Sequence, residues 1–138
     1  MSSSEKEQLN NYLNQNQTKS FYKLVFDYID RYFDERGEVC KDSIVYNRAG
    51  IDRRLFSKFK GDINESYYFS RNNIIKLCLA LELNLDDTST LLESAGYTLS
   101  TTKEFDLIIR YYITHGIYNI GKINQTLYAL TKTALDKE

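Results

Sequence analysis

From Ser20 onward the apolar residues recur at a helical interval. Phe21, Leu24, Val25, Tyr28, Ile29, Tyr32 and Phe33 fall at i, i+3, i+4 and i+7, the spacing that gathers side chains on one helical face. Arg36 lies in the last turn and Gly37 just beyond it, which predicts a first helix closed at Gly37. The chain has no proline, so glycine is the main breaker, and Gly37, Gly50, Gly61, Gly96 and Gly116 each follow a helical stretch. Residues 42–49 predict a short second helix closed by Gly50. Asp52 then caps a third, Arg53 to Lys60, with Leu55, Phe56 and Phe59 turned inward. Ser70 opens a fourth helix containing Ile74, Ile75, Leu77, Cys78, Leu79, Ala80 and Leu81, apolar nearly all round and therefore central. Asn84 to Gly96 predicts a fifth, with Asp86 and Asp87 suited to its positive N-terminus. Ser100 or Thr101 opens a sixth, and Asn119 caps a seventh whose Ile120, Ile123, Leu127 and Leu130 keep helical spacing. No period-two strand pattern appears, so the expected class is all-α: a core of about five helices over residues 20–96, and a two-helix extension over 97–138 in the same compact unit.

The first nineteen residues break the pattern. They are rich in Ser, Asn, Gln and charge, and Leu9, Tyr12 and Leu13 supply one amphipathic turn, too little for a stable isolated helix. A flexible, frayed tail is expected over residues 1–19. At 138 residues with 42% hydrophobic content the chain suits one domain. Its net charge of −1 makes it no polycation, so any nucleic-acid binding must be local. Two cysteines fall short of a disulfide scaffold, and no uncharged apolar run is long enough for a signal peptide or a membrane span. The expectation is a soluble cytoplasmic protein with no membrane partner. A single histidine removes most recipes for metal sites and His-based catalysis, so no metal, cofactor or enzymatic activity is expected.

Local charge does concentrate in one place. Arg48, Arg53, Arg54, Lys58 and Lys60 lie within thirteen residues against Asp52 alone, a local +4 that leaves −5 for the rest of the chain. On a helical wheel Arg53, Arg54, Ser57, Lys58 and Lys60 occupy the arc opposite the anchors Leu55, Phe56 and Phe59. Asp42 to Gly61 thus has the form of a helix-turn-helix: a short helix, a glycine able to take positive φ, and a capped second helix with a basic outer face.

The segment "YNRAGIDRRLFSKFKGD", followed by "NNIIKLCLALELNLDDTSTLLESAG", resembles the lambda-repressor-like (Xre/Cro type) helix-turn-helix domain over about residues 20–96. The resemblance implies that Arg53, Arg54, Ser57 and Lys58 form the base-reading surface, that Asp52 caps the recognition helix, and that Arg48 or Lys60 lies near phosphates. It implies a sequence-specific, duplex-DNA-binding transcriptional regulator of bacterial or phage type. One departure is Tyr46, where the family usually has a small alanine; a ring there pushes the two helices apart or changes their angle. The stretches "EFDLIIRYYI" and "IYNIGKINQTLYAL" resemble bacterial helix-turn-helix-like modules joined to other domains. The alternative is therefore a helix-turn-helix-fold protein-interaction module, such as an accessory or inhibitory factor of anti-defence or anti-CRISPR type, docked on a protein partner in a nucleic-acid-handling complex.

The sixth and seventh helices carry apolar residues on more than one face, which leads to an expected homodimer through Phe105, Ile109, Tyr112, Ile123 and Leu127, with Tyr67 and Tyr68 as further interface candidates. Residues Gly116 to Ile123 nearly spell a phosphate-binding loop, but lack its Ser/Thr and the preceding strand; a helix end, an Asn119 cap and a new helix is the better account. His115 is expected to meet free carbonyls at a helix end.

Overall fold

The computed structural model describes residues 1–16, 20–61 and 69–136. Its helices are α1 Ser3–Asn16, α2 Phe21–Arg36, α3 Asp42–Ala49, α4 Arg53–Gly61, α5 Arg71–Ala80, α6 Leu85–Ser94, α7 Glu104–Thr114 and α8 Ile120–Thr131. No strand occurs among the described residues, and the fold is all-α.

Local chemistry accounts for most boundaries. The side chains of Ser20, Ser70, Asn84 and Asn119 accept the backbone N–H groups of Lys23, Asn73, Asp87 and Lys122, satisfying donors that a helix start leaves without partners. α7 begins later than its sequence suggests. Ser100 Oγ instead accepts the N–H groups of Thr102 and Lys103, so the Ser/Thr run forms a turn before the helix.

α5 runs through the middle, with every residue from Ile74 to Ala80 buried. α3, α6 and α8 pack on it, while α2 packs on α6 and α7 on α8. The stripe of α2 fills one side of the core with Phe21, Val25, Tyr28, Ile29, Tyr32 and Phe33.

The fold departs from the sequence expectations in three places. The stretch read as a frayed tail forms α1, although every side chain from Met1 to Gln15 is exposed, as a polar helix with one apolar turn requires. The stripe expected to pair two copies is internal: Ile109, Ile123 and Leu127 are fully buried, Tyr112 is buried and Phe105 packs against the core. α7 and α8 close this core against each other, with the Tyr112 hydroxyl 2.6 Å from that of Thr126, so these residues have no face left for a partner. The outward apolar residues of the two helices are Leu107, Tyr111, Tyr128 and Leu130. Tyr67 and Tyr68 lie outside the described residues.

The third difference is a C-terminal strap that the periodicity did not announce. α8 stops at Lys132, which is left-handed at φ 63°, and residues 133–136 fold back on the domain with Ala134 and Leu135 buried. Asn124 holds the strap at two points: Oδ1 accepts the Leu135 N–H at 2.9 Å, and Nδ2 donates to Asp136 at 2.8 Å. The Lys76 ammonium, on a side chain only 7% exposed, pairs with Asp136 at 3.1 Å. A cation at that depth needs its counter-charge. Asp106, also buried, pairs with Arg71 at 2.5 Å and accepts the Ser100 N–H at 2.6 Å, tying the loop before α7 to the start of α5.

Candidate nucleic-acid interface

The basic stretch is built on a tight turn between α3 and α4. Gly50 has φ 68°, a left-handed conformation that costs a residue without Cβ nothing, and its N–H reaches Asn47 O while that of Ile51 reaches Tyr46 O. Ile51 is buried and pins the turn to the core. Asp52 follows as the cap, its carboxylate accepting the Arg54 N–H at 2.7 Å.

Aromatic packing aims α4. Phe56 and Phe59 are buried among rings, with Phe59 centred 4.7 Å from Phe69, 5.5 Å from Phe21 and 5.9 Å from Phe26. Tyr46 is half-buried on α3, with its ring centred 5.7 Å from that of Phe56 on α4. The Tyr22 hydroxyl donates to Lys60 O at 2.9 Å and fastens the far end of α4 to α2.

With one side anchored, the other faces solvent: Asp52, Arg53, Arg54, Ser57, Lys58 and Lys60 are all exposed. The cations differ in their neighbours. Arg48 turns toward α2 and the α5–α6 turn, donating to the Tyr32 hydroxyl and lying 3.6 Å from Glu82. Glu82 also pairs with Arg36 at 2.9 Å from a left-handed backbone at φ 52°. Lys60 pairs with Asp42 at 2.5 Å, a hydrogen bond that raises its ammonium above the usual lysine value. Arg53 and Arg54, in contrast, form no ion pair among the described residues. The structure thus gathers Arg53, Arg54, Ser57 and Lys58 on one outer arc and draws Arg48 away from it. Sequence spacing carried no signal for the Asp42, Glu82 and Tyr32 partners, which come from elements far along the chain.

The remaining candidates resolve into structural roles. Asn119 caps α8, and α7 rather than a strand precedes it; a cavity of about 480 Å³ beside it is lined by Arg48, Glu82, Gly116 and the run from Tyr118 to Gly121. His115 stands at the end of α7 with its Nδ1–H donating to Tyr111 O at 2.7 Å. Burial pushes the Cys78 thiol up to about 12, and Cys40 is exposed. Among the described residues no group of three or more His, Cys, Asp or Glu could hold a metal ion, and no helix is long and apolar enough to cross a membrane. Comparison with protein-family models, curated proteins and solved structures gives no match.

Proposed function

We propose that the protein binds duplex DNA through the outer arc of α4, as a bacterial or phage-type transcriptional regulator of the lambda-repressor-like helix-turn-helix class. The observation that carries this reading is an Asp52-capped helix, anchored by Phe56 and Phe59, that turns Arg53, Arg54, Ser57 and Lys58 to solvent. A guanidinium can meet the O6 and N7 of guanine with two parallel donors, and exposed cations displace counterions from phosphates. Arg53 or Arg54 takes the first role; Lys58 and the other arginine take the second. Arg48 and Lys60, engaged with Glu82 and Asp42, contribute less than their formal charge. Duplex binding measured against salt tests this. Two phosphates neutralised give a slope of log K on log salt of about −1.8, where full contributions from Arg48 and Lys60 as well would give about −3.6. Binding indifferent to salt would sink the reading.

Tyr46 favours a second reading. Because an aromatic ring spaces α3 from α4, the same arc suits a broader acidic protein surface, as in an accessory or inhibitory factor of anti-defence or anti-CRISPR type acting on a nucleic-acid-handling complex. Assays with and without a candidate partner separate the two, since Arg53→Ala weakens both.

A further inference from the structure

We propose that the seat formed by Asn124 and Lys76 accepts the C-terminal strap of a second copy, the two chains exchanging residues 133–136 by opening at Lys132. This inference stands apart from the DNA reading. The strap is held by discrete contacts: a buried leucine, an amide that grips both the Leu135 N–H and Asp136, and a buried ammonium that needs the Asp136 carboxylate. The peptide seen to satisfy that seat is this chain's own, and a second copy carries it unchanged. Exchange therefore makes every closed-form contact again between chains, which is why it is an inexpensive route to a dimer.

Two features of the α8 terminus point to the second copy rather than to a permanently closed strap. Lys132 holds a left-handed backbone that side chains with a Cβ adopt at a cost, and opening relieves it. The strap is also short: four residues span at most roughly 13 Å, so exchange is possible only with two α8 ends side by side. That is where Tyr128 and Leu130 stand exposed, at 51% and 59%. The exchanged arrangement covers both.

The test uses full-length chains and light scattering coupled to size exclusion. Lys76→Glu and Asp136→Lys each mismatch the seat and strap when alone. Mixed in equal amounts they match both seats, and the expected result is a one-to-one heterodimer of twice the chain mass. Two variants that fold and stay apart overturn the proposal. The hinge gives an independent reading should Lys76→Glu fail to fold. Lys132→Gly removes the left-handed penalty from the closed form and shifts wild type toward monomer by on the order of tenfold. Lys132→Pro cannot adopt φ 63° and loses the N–H bonded to Tyr128 O, so it shifts the equilibrium toward dimer. A monomer–dimer distribution unmoved by either hinge variant overturns the exchange as well.

Discussion

Tyr46 and Phe56 meet across the α3–α4 turn with ring centroids 5.7 Å apart and planes tilted by 44°. The pair sets how far α4 stands from α3, and so the direction in which the basic arc faces. Tyr46→Ala removes a half-buried ring and leaves space that the turn, pinned by Ile51, cannot fully close. A loss of about 2 kcal/mol is expected, below the range for a fully buried aromatic. Urea denaturation measures it as a lower midpoint. On the DNA reading duplex affinity falls too, while the salt slope holds, because no charge has been removed.

The Arg53→Ala, Arg54→Ala double variant has the opposite signature. Both side chains are exposed, so the unfolding free energy from urea titration stays within about 0.5 kcal/mol of wild type. The salt slope of duplex binding becomes shallower by about 1, since one of the two arginines meets a phosphate and the other a base. A parallel loss of stability would mean that these side chains also hold the fold.

Cys78 provides a pH test. Its folded value, pushed up to about 12 by burial, lies above the ordinary thiol value of 9.0, so the folded state favours the protonated form. Unfolded chains lose that proton first as pH rises. The stabilisation is complete below about pH 9 and declines between there and pH 12. The phenols of Tyr28 and Tyr118, raised first by burial, act in the same direction. Cys78→Ala makes this alkaline decline less steep in urea titrations. A thiol reagent at neutral pH should modify Cys40 in the native protein and both cysteines only after unfolding.

Asp106 is the fourth test. Asp106→Ala takes the ion partner from the Arg71 guanidinium, which keeps its Nε–H bond to Thr98 O, and the acceptor from the Ser100 N–H, for a loss of about 2 kcal/mol measured by thermal or urea unfolding. Arg110, which bonds the carbonyls of Leu99 and Ser100, keeps the loop partly in place, so the variant should remain folded.

The sequence made α2 to α6 legible because an apolar period or a locally readable stop or cap marks each one, such as Gly37 after α2, Gly50 after α3, Asp52 before α4 and Ser70 before α5. The outer arc of α4 was legible for the same reason: Phe56 and Phe59 at helical spacing leave one place for the cations. What periodicity could not say is how an apolar stripe is covered. Ile109, Ile123 and Leu127 looked surplus to the five-helix core, yet they complete it. The pairing of Arg48 with Glu82, of Lys60 with Asp42 and of Lys76 with Asp136 depends on tertiary proximity between residues far apart in the chain, and α1 forms despite burying none of its described side chains.

Phe59 touches rings from α2 and from the segment entering α5, so α4 is a lever resting on a slab of aromatic side chains rather than an independent rod. A load placed on its outer side is carried inward. Amide hydrogen exchange along Phe21 to Val25 should slow when α4 is occupied, reporting the ligand from residues that never meet it.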